Sequence, residues 1–282
     1  MTVLIAGCGD LGTEAGLRFA ALGHRVVGLR RSAYLLPDAI EGQSLDLRTT
    51  IPTVPIDTDI VVIALTAGER TAEAYRATYL DGLSHVLDGI DAAGASPRRV
   101  LLVSSTAVYD VTDGSQVDES TPATAGSPTA AVLCEAEALL RRRVPSAVIL
   151  RLGGIYGPGR ERLINQVRDG SASVPPTSLF TNRIHRDDAA AALVHLATRA
   201  REPAPVYLGV DNEPAQLGDV LAFLAAEMDA APPTTGEHTG REGGGDKRCS
   251  NELLRASGFI FTYPSYREGY RALLAGTGTR HA

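Results

Sequence analysis

The opening stretch of the chain holds the arrangement that most restricts its fold. Thr2–Ala6 is a short apolar run, followed by Gly7-Cys8-Gly9-Asp10-Leu11-Gly12 with the spacing G-x-G-x-x-G. A helical pattern then extends to about Gly23, and a second apolar run, Arg25–Leu29, comes after it. Glycine is common, so the spacing alone says little. Between a strand and a helix each glycine has a mechanical task. The first makes a tight turn, the second lets backbone approach a pyrophosphate, and the third lets helix and strand pack closely. The helix behind them presents free N–H groups and a positive dipole end to phosphates. Cys8 needs no role beyond small size.

The end of the second strand is where such a site reads the adenosine ribose. An acid there accepts from the 2′-hydroxyl of NAD, whereas an arginine accommodates the 2′-phosphate of NADP. This chain has Arg30-Arg31-Ser32 and no acid. A guanidinium forks onto phosphate through charge-assisted bonds, and Ser32 can add a hydroxyl. The expected cofactor is NADP, with NAD the weaker fit.

Further apolar runs at Gln43–Leu47, Ile60–Leu65, Val100–Ser105, Ala147–Leu152 and Val206–Val210 alternate with helical patterns. The helices fall at about Glu69–Ala93, Pro128–Val144 and Arg186–Thr198. Continuous runs such as Ile60-Val61-Val62-Ile63 suit strands buried on both faces. The pattern predicts an α/β fold, a doubly wound parallel Rossmann sheet of about seven strands flanked by helices. Residues 1–156 plus 184–210 are read as the nucleotide-binding domain. Residues 157–183 plus 211–282, where Gly, Thr and Pro are frequent, are read as a smaller substrate-binding portion. The formal net charge of −6 argues against a nucleic-acid surface. No run is long enough for a membrane span and no leader is evident, so a cytoplasmic location is expected. Three scattered cysteines, Cys8, Cys134 and Cys249, suit neither a disulfide framework nor a metal cluster.

With these residues in view, the chain resembles the extended short-chain dehydrogenases/reductases, the NAD(P)-dependent epimerases and dehydratases. The resemblance is carried by the glycine turn, Leu102-Val103-Ser104-Ser105-Thr106-Ala107-Val108-Tyr109, Arg151-Leu152-Gly153-Gly154-Ile155-Tyr156-Gly157-Pro158-Gly159 and Asn182-Arg183-Ile184-His185-Arg186-Asp187-Asp188. Lys247–Phe259 and Tyr263-Pro264 are similar to the family's last helices. The resemblance implies that Asp46 and Leu47 lie beside the adenine and that Ala64, Leu65 and Thr66 line the cofactor. It implies that Ser105 bonds a substrate oxygen and that Asn182 and Arg183 face substrate. Asp187 is expected to cap the following helix. A homodimer would pair Glu69–Ala93 and Pro128–Val144 as a four-helix bundle.

That family usually works through Tyr-x-x-x-Lys, in which lysine one helical turn on lowers the tyrosine pKa from about 10. Counting back from Glu135, the pair should stand at Ser127 and Ala131, and residues 110–155 contain neither Tyr nor Lys. Three stand-ins are available. Tyr79 can turn into the site or pack on Tyr75 one turn away. Tyr156 can reach the nicotinamide or pack beneath its loop. His185 can shuttle protons near neutral pH or serve as hydrogen-bonded scaffold. Lys247, the sole lysine, and Arg248 are read as a solvated turn with two exposed charges in preference to a clamp on an anionic substrate. Arg141-Arg142-Arg143 complements a helix C-terminus. The leading functional expectation is an oxidoreductase or epimerase/dehydratase-like enzyme acting on a small polar metabolite, with an unusual proton donor. A non-catalytic NADP(H) sensor is the alternative, and redox-neutral chemistry a third. Specificity is expected to reside in residues 157–183 and 232–248.

Overall fold

The computed structural model describes residues 1–177, 179–236 and 245–282. Part of the loop 232–248 expected to set specificity, residues 237–244, therefore lies outside the described residues, as does Ser178 of the other loop.

Seven parallel strands form the central sheet: β1 (Thr2–Ala6), β2 (Arg25–Arg30), β3 (Glu41–Ser44), β4 (Thr58–Ile63), β5 (Arg99–Ser105), β6 (Val148–Leu152) and β7 (Val206–Gly209). Their spatial order is β7-β6-β5-β4-β1-β2-β3. The strand order reverses beside β1, and this is where the carboxyl ends of a doubly wound sheet open a ligand crevice. β1, β4 and β6 are apolar because both faces are covered. In β1, Val3 and Ile5 point into one core layer while Leu4 and Ala6 point into the other. Pairing is in step, with Leu4 between Val27 and Val61. The third strand is Glu41–Ser44, earlier than the Gln43–Leu47 read from sequence. It is a short polar edge strand, and that composition discourages further strand pairing.

On one side of the sheet lie α1 (Asp10–Ala21) and α5 (Arg186–Thr198), on the other the helix spanning residues 72–93, here α2, and α3 (Pro128–Arg143). α1 buries Leu11, Ala15 and Phe19 at helical spacing. α5 is rich in buried alanine, which suits close packing beside α1. The middle of α2, Arg76–Asp81, is wound as π-helix. The helix ends at Gly94, whose φ of +64° is the left-handed cap that glycine supplies. Among the described residues no helix is long and apolar enough to cross a membrane.

The remaining helices are α4 (Arg162–Arg168), α6 (Leu217–Glu227), α7 (Glu252–Ala256) and α8 (Tyr266–Leu274). α4, α6 and α8 gather around a separate apolar cluster that includes Tyr156, Ile164, Leu221 and Tyr270. Two short parallel pairings tie this part to the sheet's carboxyl edge. Gly154–Tyr156 pairs with Arg183–His185, and Thr112–Val117 pairs with Asp246–Cys249.

A buried ionic network locks β5, β6 and α3 together. Arg151 forks onto Glu137 at 2.9 and 2.6 Å and donates its third nitrogen to the Tyr109 hydroxyl at 2.6 Å. Ser104 Oγ donates to the same carboxylate at 2.6 Å. Arg151→Met leaves the Glu137 carboxylate buried without its partner and is expected to cost about 3–5 kcal/mol of stability. The double change Glu137→Leu/Arg151→Met recovers most of that loss. Chemical denaturation of the three proteins measures both effects.

Candidate cofactor and active site

The turn after β1 is built on backbone. Gly7 has φ +85°, and a Cβ there would lie 2.5 Å from the Ala64 carbonyl oxygen. A Cβ on Gly12 would lie 2.8 Å from the Gly7 carbonyl oxygen, so helix and strand approach as only glycine permits. Gly9 differs: a Cβ there would meet nothing within 4 Å, so open space stands above it. Gly9 caps α1 without a side-chain bond, leaving the first-turn N–H groups facing that space. This cradle suits a pyrophosphate. Cys8 is wholly buried beside Thr13, and burial pushes its thiol up to about 11. Asp10 would repel phosphate, but Arg160 and Arg186 each bond its carboxylate at 2.8 Å and neutralise it. Leu11 points into the core.

At the adenosine end, Arg30 is half-buried at the tip of β2, Arg31 is exposed, and Ser32 opens a 3-10 turn. Arg30 Nη1 donates to the carbonyl of Ala282. Asp46 is bonded by Arg48, which with its neighbouring backbone N–H holds the carboxyl down at about 2. Leu47 is core, and its carbonyl meets His85 Nδ1 at 2.7 Å. Ala64 pairs with Ala6, Leu65 is half-buried and Thr66 is exposed at the crevice side of β4. The residues present therefore fit a dinucleotide from cradle to ribose.

At the other end of the crevice, Ser105 closes β5. Its Oγ accepts from Ala107 N–H at 3.1 Å, so the hydroxyl keeps its own proton to donate. Ser127 is the N-cap of α3, its Oγ accepting from Ala130 N–H at 3.2 Å, and Ala131 follows one turn on. The Asp110 carboxylate lies against Gly126, where a Cβ would be 2.1 Å from Oδ1. Sequence reasoning had no signal for this carboxylate beside the helix start.

The three stand-ins are held by packing. Tyr79 packs against Tyr75 with tilted rings whose centroids are 5.1 Å apart, and burial raises its pKa. Tyr156 is buried among His185 and Tyr270, with its hydroxyl where a Cβ of Gly269 would be 1.9 Å away. Burial raises its pKa well above the ordinary tyrosine value. His185, rather than Asp187, caps α5: its Nδ1 accepts from Asp187 N–H at 3.2 Å. An Asp at that second position sits inside the helix, so the residue before the helix supplies the acceptor. Burial lowers His185 to about 4.

Asn182 uses its amide as a clasp, donating to the Lys247 carbonyl at 2.9 Å and accepting from Cys249 N–H at 2.8 Å. Arg183 is buried against Tyr266 and bonds Thr181 Oγ1. Asp211, also buried, is pushed up to about 7 by burial, with Arg183 opposing the shift. The expected solvated turn at Lys247-Arg248 is instead a strand. Period-two alternation sends Lys247 and Cys249 inward, and only Arg248 faces out. Lys247 is 1% exposed and donates from Nζ to the Tyr109 carbonyl at 2.9 Å. Three consecutive charges, Asp246-Lys247-Arg248, gave no sign in sequence of this alternation.

A parallel sheet in this strand order, with a glycine cradle at its reversal point, defines a Rossmann fold. The model of the NAD dependent epimerase/dehydratase family matches residues 3–209, and the chain belongs to that family. A 3-diazoavenalumate denitrifying reductase from a Streptomyces species is 28% identical over 309 residues, covering 95% of this chain and 99% of its own. A structure from Methylobacillus flagellatus, provisionally described as an NAD-dependent epimerase/dehydratase, is 37% identical, with TM-score 0.79 and 98% of each chain covered. The UDP-glucuronic acid 4-epimerase of Bacillus cereus, solved with UDP-glucuronic acid and NAD, is 19% identical, with TM-score 0.82 over 96% of this chain and 97% of its own. At that identity the likeness is one of fold.

The buried histidine carries a pH signature. Folded His185 stays neutral down to about 4, while the unfolded chain takes the proton near 6.5. Between these values the unfolded state binds more protons, so stability falls as pH drops through the window, by roughly 2–3 kcal/mol. His185→Asn retains a capping acceptor and is expected to flatten this dependence in thermal melts between pH 7 and pH 4.

Proposed function

We propose that this chain is an NADP(H)-dependent reductase of a small polar metabolite, working as a cytoplasmic homodimer. The observation that carries the cofactor choice is Arg30 at the tip of β2, with Arg31 beside it and no acid at the 2′-position. In the dimer, α2 and α3 would pair with their copies. The Arg76–Glu135 pair at 2.9 Å already joins these two helices within the chain.

The proton side of the chemistry points to the class of acceptor. Position 127 is a helix cap, position 131 is alanine, and Tyr79, Tyr156 and His185 are packed rather than poised. Ser105 can orient a substrate by donating its hydroxyl, but serine is too weak an acid to protonate an alkoxide as hydride arrives. An acceptor that expels a leaving group removes that requirement. When bound, the nicotinamide would supply a hydride, which a carbon bearing a diazonium group takes as dinitrogen departs, with no oxygen to protonate. The denitrifying reductase among the relatives gives this reading a precedent. Ser105 and the Asn182–Arg183 segment are assigned to holding the substrate, and the cradle with Arg30 to holding the cofactor.

Fluorescence titration with NADPH and NADH tests the cofactor assignment. Arg30→Ala is expected to weaken NADPH about tenfold or more while leaving NADH unmoved. Tighter NADH than NADPH binding in the unaltered protein would overturn it. For the acceptor, NADPH oxidation is expected with diazonium substrates and to fall in Ser105→Ala. Turnover confined to ketones and aldehydes would overturn that choice.

A further inference from the structure

Arg30 is already engaged in this structure, by the chain itself. After α8 the backbone turns at Gly276 (φ +74°) and Gly278 (φ +93°) and meets the first turns of α1 and α5 through Asp10, Glu14 and Arg186. Gly278 rests on Pro158, where a Cβ would be 2.7 Å from the ring. The Thr279 carbonyl accepts from Arg186 at 2.8 Å, and Arg280 donates to the Gly159 carbonyl at 2.8 Å. His281 N–H donates to Asp10 at 3.2 Å, and its Nε2 meets Glu14 at 2.8 Å. The Ala282 carbonyl then accepts from Arg30. Each residue from 278 to 282 is thus fixed to the cradle, the loop after β6 or the ribose end.

We propose that residues 277–282 form a strap that competes with the 2′-phosphate of NADP(H) for Arg30, so that the chain gates its phosphate-bearing cofactor. The inference rests on the NADP(H) reading above. Of this segment only His281 is partly buried. The attachment is therefore polar, with little apolar burial, the kind that opens locally at low cost. A phosphate offers Arg30 three acceptor oxygens and a charge of up to two, where Ala282 reaches it through a single oxygen, so phosphate displaces the strap. A 2′-hydroxyl carries no such advantage, and NAD(H) leaves the contact in place. When only the open form accepts the phosphate, the apparent affinity for NADPH falls by the open fraction.

Two variants release the strap without touching the cradle: Arg280→Ala/His281→Ala, and a chain stopped after Gly276. Both are expected to bind NADPH about fivefold more tightly than the full chain and NADH within about twofold of it. Hydrogen exchange at residues 277–282 of the full chain is expected to quicken with NADPH and not with NADH. Equal or weaker NADPH binding in both variants, with NADPH still preferred to NADH, would overturn the strap alone. A preference for NADH in all three proteins would overturn the strap and the NADP(H) reading together.

Discussion

Everything in the crevice depends on how closely two stretches of backbone pass each other at Gly7. With its neighbour carbonyl from Ala64 at 2.5 Å from where a Cβ would stand, the turn after β1 admits no side chain. That approach sets the axis of α1, and Gly12 lets the helix settle onto the strand it has just left. Once α1 is placed, Asp10 becomes the meeting point of Arg160 and Arg186, and α5 is tied to the same end of the sheet. Asp188 continues the tie by accepting from Thr262 and Tyr263 N–H at 2.8 Å each. A single tight turn thereby propagates into the placement of the later third of the chain.

Two kinds of buried polarity accompany this frame. The Ser104–Glu137–Arg151–Tyr109 network satisfies its charges among themselves and serves to register helix against sheet. The Asn182 clasp and Lys247 stitch the outer strand Asp246–Cys249 to the segments after β5 and β6. Both fix backbone near the crevice, and neither places a tyrosine one helical turn before a lysine. On the proposed reading, the chemistry left to the chain is orientation of the substrate through Ser105.

The fold was legible because its signals are local. Apolar runs of β-branched residues mark β1, β4 and β6, the glycine spacing marks the cradle, and Pro128 behind Ser127 marks the start of α3. The edge strand slipped because Glu41–Ser44 has no apolar signature; it is defined by its neighbour β2. Lys247 was misjudged because whether a charge is buried depends on which distant strand arrives beside it. The His185 cap was misjudged because the helix begins at Arg186, which puts Asp187 inside it. Arg151 and Glu137 gave a faint hint as charges inside apolar stretches, but only the register of β6 against α3 makes them partners. The Ala282–Arg30 contact spans 252 positions, beyond any local pattern.

The wide turn in α2 bears on how this helix can change over generations. A π stretch holds one more residue than the α-helix would at the same length. Loss of one residue between Arg76 and Asp81 would let the hydrogen-bond ladder close to the α pattern while Ala72–Tyr75 and Gly82–Ala93 keep their places. The inner half, seated on the sheet through Leu83, Val86, Leu87 and Ile90, would stay where it is. Only the side chains carried by the wide turn itself would change, which makes this segment a natural place for related chains to differ in length by one residue.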